Sequence, residues 1–197
     1  MPAKRLYSNI LFSAYPKGKL QMTKLPLGCD RHDHAECVSD ALAAAQALCN
    51  DRGARLTPLR EQVLELIWQS HKPLGAYALM DMLAEASTRR VAPPTVYRAL
   101  DFLLDQGLIH RINGLNAFIG CPAPDEQHHS HFLICRDCGV AVELDASALT
   151  ENIQTAAQAA GFTVASHAVE IMGLCPRCTL DLSASAEKKD SVGPAHG

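Results

Sequence analysis

APPTVYRALDFLLDQG, residues 92–107, runs directly into LIHRINGLNAFIG, residues 108–120. Pro93 and Pro94 mark a helix start, because the first turn of a helix has N–H groups with no partner inside it. Val96, Leu100, Leu103 and Leu104 then recur at helical spacing and predict one buried stripe. Gly107 is a natural stop. Thr95, Tyr97 and Arg98 fall on the outward face near the helix start. The next segment is two short apolar runs around Asn113-Gly114. That pair tolerates the positive φ of a type I′ turn, so the segment reads as a β-hairpin.

Upstream, ECVSDALAAAQALCN, residues 36–50, is helical by its alanine content, and Gly53 lies beyond its end. Thr57-Pro58 reads as an N-cap followed by proline at the first helical position. Leu59, Val63, Leu66 and Ile67 form one stripe behind it, and a third helix is predicted over 76–86 with Leu79, Met80 and Leu83 inward. Helix, helix, recognition-type helix and hairpin is the order of a winged helix-turn-helix. The expected fold is therefore α+β: this winged helix over 36–120, followed by a small α/β domain.

The chain of 197 residues suits one large domain or two small ones, and 48% hydrophobic content allows a real core. Charge is uneven: residues 1–35 carry six Lys/Arg against two Asp/Glu, residues 36–120 eight against nine, and residues 121–197 four against ten. The acidic last part is a poor nucleic-acid binder by bulk charge and suits cations. No stretch approaches the roughly 20 apolar residues of a membrane span, and the first 20 residues hold too broken an apolar run for a signal peptide. A cytoplasmic protein is expected. Residues 1–35 read as an irregular leader, with Met22 as a second possible start. Cys29, His32, His34 and Cys37 in and beside it would bind a metal only loosely.

CPAPDEQ, residues 121–127, reads as a hinge, and HHSHFLICRDCGVAVEL, residues 128–144, opens the second domain. HFLIC and VAVEL read as strands about a Cys-x2-Cys-Gly turn. Leu149, Ile153, Ala157 and Ala160 predict a helix closed by Gly161, and FTVASHAVEIMG, residues 162–173, a third strand. The domain ends near 181, and residues 182–197 read as a disordered tail.

Reduced cytosolic thiols need a use other than disulfides. Cys135, Cys138, Cys175 and Cys178 form two Cys-x2-Cys pairs separated by 36 residues. Two such turns present four sulfurs to a tetrahedral zinc, and four thiolates leave no open position, so this zinc is structural. His110, Cys121, His128, His129, His131, Glu143 and His167 remain. A mixed nitrogen, sulfur and oxygen set suits Zn²⁺ rather than Mg²⁺ or Ca²⁺. A metal held by His110 on the hairpin, Cys121 at the hinge and ligands beyond it would bridge two domains. For DNA, Tyr97 and Arg98 stand at the exposed start of the recognition-type helix, and Arg55, Arg60, Arg89, Arg90 and Arg111 are candidates for phosphate contacts.

RLTPLREQVLELI, PPTVYRALDFLLDQGLIHRI, HHSHFLICRDCG and LCPRC together resemble the ferric uptake regulator family of metal-dependent repressors, over about residues 36–180. Within it, PPTVYRALDFL and a cysteine soon after the wing, Cys121, resemble the branch that senses zinc. The resemblance implies a homodimer that binds palindromic operator DNA when loaded with zinc and represses zinc-uptake genes. It implies two zinc ions per chain. One is the structural four-cysteine site. The other is a regulatory site of His110, Cys121, Glu143 and one of two histidines: counting from Cys121 selects His129, and counting back from Cys135 selects His128. It places His131 and His167 at positions of a further site in other members, but the acid expected near Thr150 is displaced to Glu151 or missing, which counts against that site. The DNA-contacting set is Arg55, Tyr77, Thr95, Tyr97 and Arg98. An iron- or peroxide-responsive regulator is the alternative within the family. A zinc hydrolase with Glu143 as base is the alternative outside it, and the lack of HExxH argues against that.

Overall fold

The structure is a computed structural model that describes residues 34–70, 72–86, 91–124, 131–144 and 146–182. The leader to residue 33, His128 and His129, Arg89 and Arg90, and the tail from 183 lie outside them. The first half is helical: α1 (His34–Asp51), α2 (Pro58–Trp68), α3 (Ala76–Ala86) and α4 (Pro93–Asp105). A three-stranded sheet closes it, with β1 (Leu74–Gly75), β2 (Ile109–Ile112) and β3 (Ala117–Gly120) in the order β1-β3-β2. The second half holds β4 (His131–Cys135), β5 (Ala141–Glu143), α5 (Ser147–Ala159) and β6 (Val169–Gly173). Its sheet has the order β5-β4-β6, with β4 and β6 parallel.

The helical stripes meet as the periodicity requires. Val63, Leu64, Leu66 and Ile67 of α2, Leu79 and Leu83 of α3, and Val96, Ala99, Leu100 and Leu103 of α4 share one buried cluster. Leu59, Met80 and Leu104, expected in the stripes, pack at its edge. Cys49 of α1 is wholly buried there, and burial raises its thiol pKa, so this cysteine is a core residue. Thr57 stands at the N-cap of α2, but its hydroxyl makes no capping bond.

The wing hairpin has two covered faces. Ile109 and Phe118 turn toward the helical core. Side chains alternate along a strand, so His110 and Ile112 turn the other way, with Ile119, the register partner of His110. Ile112, wholly buried, packs with Phe132, Ile134 and Ala141 of the second sheet, and Ile119 joins them. The wing is thus the element where the two halves meet. Arg52 adds a polar tie: its guanidinium donates to the Gln106 carbonyl at 2.7 Å and the Pro124 carbonyl at 3.4 Å.

Two sequence expectations are corrected. The hairpin does not turn on a two-residue type I′ pair. Asn113–Leu115 form a 3₁₀ turn, and Asn116 is the residue with left-handed backbone, at φ 48°. Four residues rather than two span the register pair Ile112↔Ala117. The third strand of the second half covers only Val169–Gly173, in register with β4 from His131↔Val169 to Cys135↔Gly173.

Two core substitutions test this packing. A Cβ on Gly120 would lie 2.5 Å from the ring of Trp68, the only tryptophan in the chain. Gly120→Ala is expected to cost about 1–3 kcal/mol by overpacking and to shift Trp68 emission, read by denaturant titration followed by fluorescence. Ile112→Ala is expected to cost about 2–5 kcal/mol. A loss under 1 kcal/mol in the same titration would contradict its place between the halves.

Candidate metal centres and DNA-facing surface

β4 and β6 run parallel in the register Cys135↔Gly173, so the turns that follow them leave the sheet side by side. The Arg136 N–H donates to the Gly173 carbonyl at 2.9 Å and ties the two turns together. This places Cys135 and Cys138 beside Cys175 and Cys178, with the four sulfurs within 4.8 Å of one another. Cys138 and Cys175 sulfurs are 3.7 Å apart. Zinc–sulfur bonds of about 2.3 Å at tetrahedral angles would set sulfurs about 3.8 Å apart, so the donor set fits that ion. Cys135, Cys175 and Cys178 are buried. Backbone N–H groups of Cys138 and Cys175 pull the Cys135 thiol down to about 6, while the Asp137 side chain and burial raise that of Cys178. Backbone dipoles thus already favour thiolate at Cys135, the form that binds metal.

The second cluster draws on three places in the chain. His110 projects from β2, and Cys121 follows β3. The Cys121 N–H donates to the Leu108 carbonyl at 3.0 Å, which continues the hairpin ladder by one step and sets Cys121 diagonal to His110 on one face. Glu143 ends β5, across the junction. The His110 Nε2 lies 3.5 Å from a Glu143 carboxylate oxygen, and ligand atoms of His110, Cys121 and Glu143 all fall within 4.8 Å of one another. Phe132 presents its ring to the His110 ring edge at a 5.6 Å centroid distance and 60°, which limits the ring's freedom to turn. One nitrogen, one sulfur and one oxygen donor suit a borderline ion such as Zn²⁺.

His131 and His167 stack at 5.3 Å, and the His131 Nε2 lies 3.1 Å from the Thr150 hydroxyl. Thr150 therefore occupies the place where an acid was looked for. Glu151 is exposed, and among the described residues the candidate ligand clusters are the two above.

Thr95, Tyr97 and Arg98 are exposed on α4, as is Arg55 before α2. Tyr77, at the start of α3, is 77% exposed. The first turn of α4 has no acidic residue, and with prolines at 93 and 94 it offers no N–H there, so Arg98 is what makes this end locally positive despite the near-neutral charge of this half. Arg60, a phosphate-contact candidate, has its guanidinium 3.5 Å over the Phe102 ring and donates to the Arg55 carbonyl at 2.6 Å. Arg111 remains exposed and donates to the Asn116 side chain at 2.8 Å. Sequence reasoning missed Phe132 and Glu170, whose roles arise from register between strands distant in the chain, and Arg52, whose carbonyl partners lie 54 and 72 residues away.

The ferric uptake regulator family profile matches residues 51–172, from the end of α1 into β6. The zinc uptake regulation protein of Escherichia coli strain K12 is 39% identical over 142 residues, which cover 72% of this chain and 82% of that protein. A zinc uptake regulator solved in complex with zinc and DNA superposes with a TM-score of 0.70 at 38% identity, covering 75% of this chain and 97% of that one. The holo form of XcZur gives 0.65 at 42% identity, over 73% and 99%. The profile match takes in α2 to α4, the wing and most of the second half, and the chain therefore belongs to the ferric uptake regulator family, as a metal-responsive transcription regulator and not an enzyme.

Proposed function

We propose that this chain is a zinc-responsive repressor of zinc-uptake genes, acting as a homodimer on double-stranded operator DNA. In this reading residues 36–120 bind DNA, 121–127 are the hinge, and 128–181 dimerise and carry metal. Two zinc ions serve each chain. Cys135, Cys138, Cys175 and Cys178 hold a structural one. His110, Cys121, Glu143 and either His128 or His129 hold the sensed one; both histidines lie outside the described residues. The observation that carries the reading is the convergence of His110, Cys121 and Glu143 from both sides of the junction. A ligand shifts a conformational equilibrium only by its differential affinity for the two states. Ligands split across a hinge provide that difference, since separating the halves dismantles the site.

The apolar edge strand supports the homodimer. β6 has β4 on one side, and Ile171 and Met172 on it are 42% and 53% exposed. An exposed apolar edge is a pairing surface, and a twofold dimer would cover it with its own copy. Among the described residues no helix is long and apolar enough to cross a membrane. We read the protein as cytoplasmic.

Four outcomes test this function. In a gel shift on operator DNA, zinc is expected to restore binding at lower free concentration than iron or manganese; an iron preference would move the protein to another branch of the family. Arg98→Ala is expected to weaken specific binding by about 1–3 kcal/mol at matched salt while zinc content is unchanged. Cys135→Ser is expected to lose the folded second half, because structural zinc contributes on the order of 10 kcal/mol in small domains. Cys121→Ser should instead leave a folded dimer with one zinc per chain whose operator affinity no longer responds to added zinc. A normal zinc-dependent shift from Cys121→Ser would overturn the sensing assignment.

A further inference from the structure

Glu170 lies on β6, away from both metal-ligand clusters. It pairs in register with Phe132, which pairs in turn with Glu143. Residues in register share a face, so Glu143, Phe132 and Glu170 form one row across the second sheet, on the side that meets the wing. Glu143 and Phe132 face His110. Glu170 takes the wing tip: its carboxylate accepts the Asn113 N–H at 2.6 Å and the Gly114 N–H at 2.9 Å. These N–H groups open the 3₁₀ turn Asn113–Leu115, where such donors have no partner within the turn. A carboxylate is the strongest acceptor for them.

The residue type at 114 agrees with the pairing. Its backbone is not left-handed, so the turn itself would admit another residue. A Cβ there would fall 2.7 Å from a Glu170 carboxylate oxygen. Glycine at 114 makes room for Glu170.

We propose that Glu170 is a latch: a carboxylate cap supplied by the second sheet to the wing tip, which positions His110 against Glu143. This rests on the reading of His110, Cys121 and Glu143 as the sensed-zinc site. Asn113 stands three residues beyond His110, about 10 Å along the strand. Ile112 and Ile119 hold the middle of the hairpin against the second sheet by apolar contact, and Glu170 adds a directional polar hold at its tip, next to Ile112. The apparent affinity of a bridging site falls with the fraction of chains in the joined arrangement. Releasing the tip therefore weakens the zinc site without touching a ligand.

The experiment uses the full-length zinc-loaded protein and four variants: Glu170→Ala, Glu170→Gln, Gly114→Ala and the Gly114→Ala/Glu170→Ala double. Glu170→Gln keeps the shape but sets an NH₂ donor against an N–H donor. Hydrogen exchange at the Asn113 and Gly114 amides is expected to speed up at least tenfold in both Glu170 variants. Chelator competition should show zinc affinity of the bridging site lowered roughly tenfold, with the four-cysteine zinc retained as the check on folding. Gly114→Ala should weaken the site when Glu170 is present and add little when it is absent. Unchanged amide exchange in Glu170→Ala, unchanged zinc affinity, or additive effects in the double variant would overturn the latch. A Cys121→Ser control separates the two readings. If zinc response survives that change, the sensing assignment falls, and amide exchange at 113 and 114 still decides whether the latch exists.

Discussion

The alternation of side chains along the wing hairpin is the constraint on which the rest of the molecule depends. Ile109 and Phe118 belong to the helical core, and that fixes the hairpin against α2 and α4. With one face committed, the other must carry Ile112, Ile119, His110 and Cys121 outward together. The second sheet covers exactly that face's apolar residues and faces its ligand atoms, through Phe132, Ile134, Ala141 and Glu143. A register slip by one residue would exchange the two sets and destroy core and metal cluster at once.

Among the described residues the apolar junction between the halves is small: four buried residues with Ile119 at their edge. Burying a large aliphatic or aromatic side chain contributes about 1.5–3 kcal/mol, so this contact alone holds the halves together only modestly, against a helical cluster of seventeen buried residues. That imbalance suits a regulator. The helical part keeps its shape, while the junction is weak enough for a few polar interactions to decide its population. The four-cysteine cluster sits outside the junction, at the far ends of β4 and β6, and closes the second half on itself. Burial and number of thiolates separate the two clusters: a closed cage in one case, a mixed set between separable parts in the other.

Much of this was legible in the residues before any coordinates. The stripes Val63, Leu66, Ile67 and Val96, Leu100, Leu103 are buried as their spacing requires, because 3.6-residue periodicity is a local property. The double proline at 93–94 starts α4, and the paired Cys-x2-Cys turns meet. His110, Cys121 and Glu143 were placed in one site by resemblance rather than by spacing, and their ligand atoms do converge. The turn at Asn113-Gly114 was misread because that dipeptide suits a tight hairpin by backbone preference alone, whereas here Gly114 answers to a carboxylate 56 residues away. That Arg60 lies over Phe102 was not legible, because nothing local shows the ring beneath it.

Residue spacing alone therefore settled the helices, the two strands of the hairpin and each Cys-x2-Cys pair, since each depends on neighbours within a turn, a strand or a two-residue gap. Tertiary structure decided what lies across from what. The row Glu143, Phe132 and Glu170 joins residues from three strands, through one antiparallel and one parallel pairing. Neither pairing register is written in any single strand, because a strand's pattern states which residues share a face but not which partner stands opposite. Pairing is chosen by the burial of Ile112 and Phe132 together, a condition that exists only once the chain has folded.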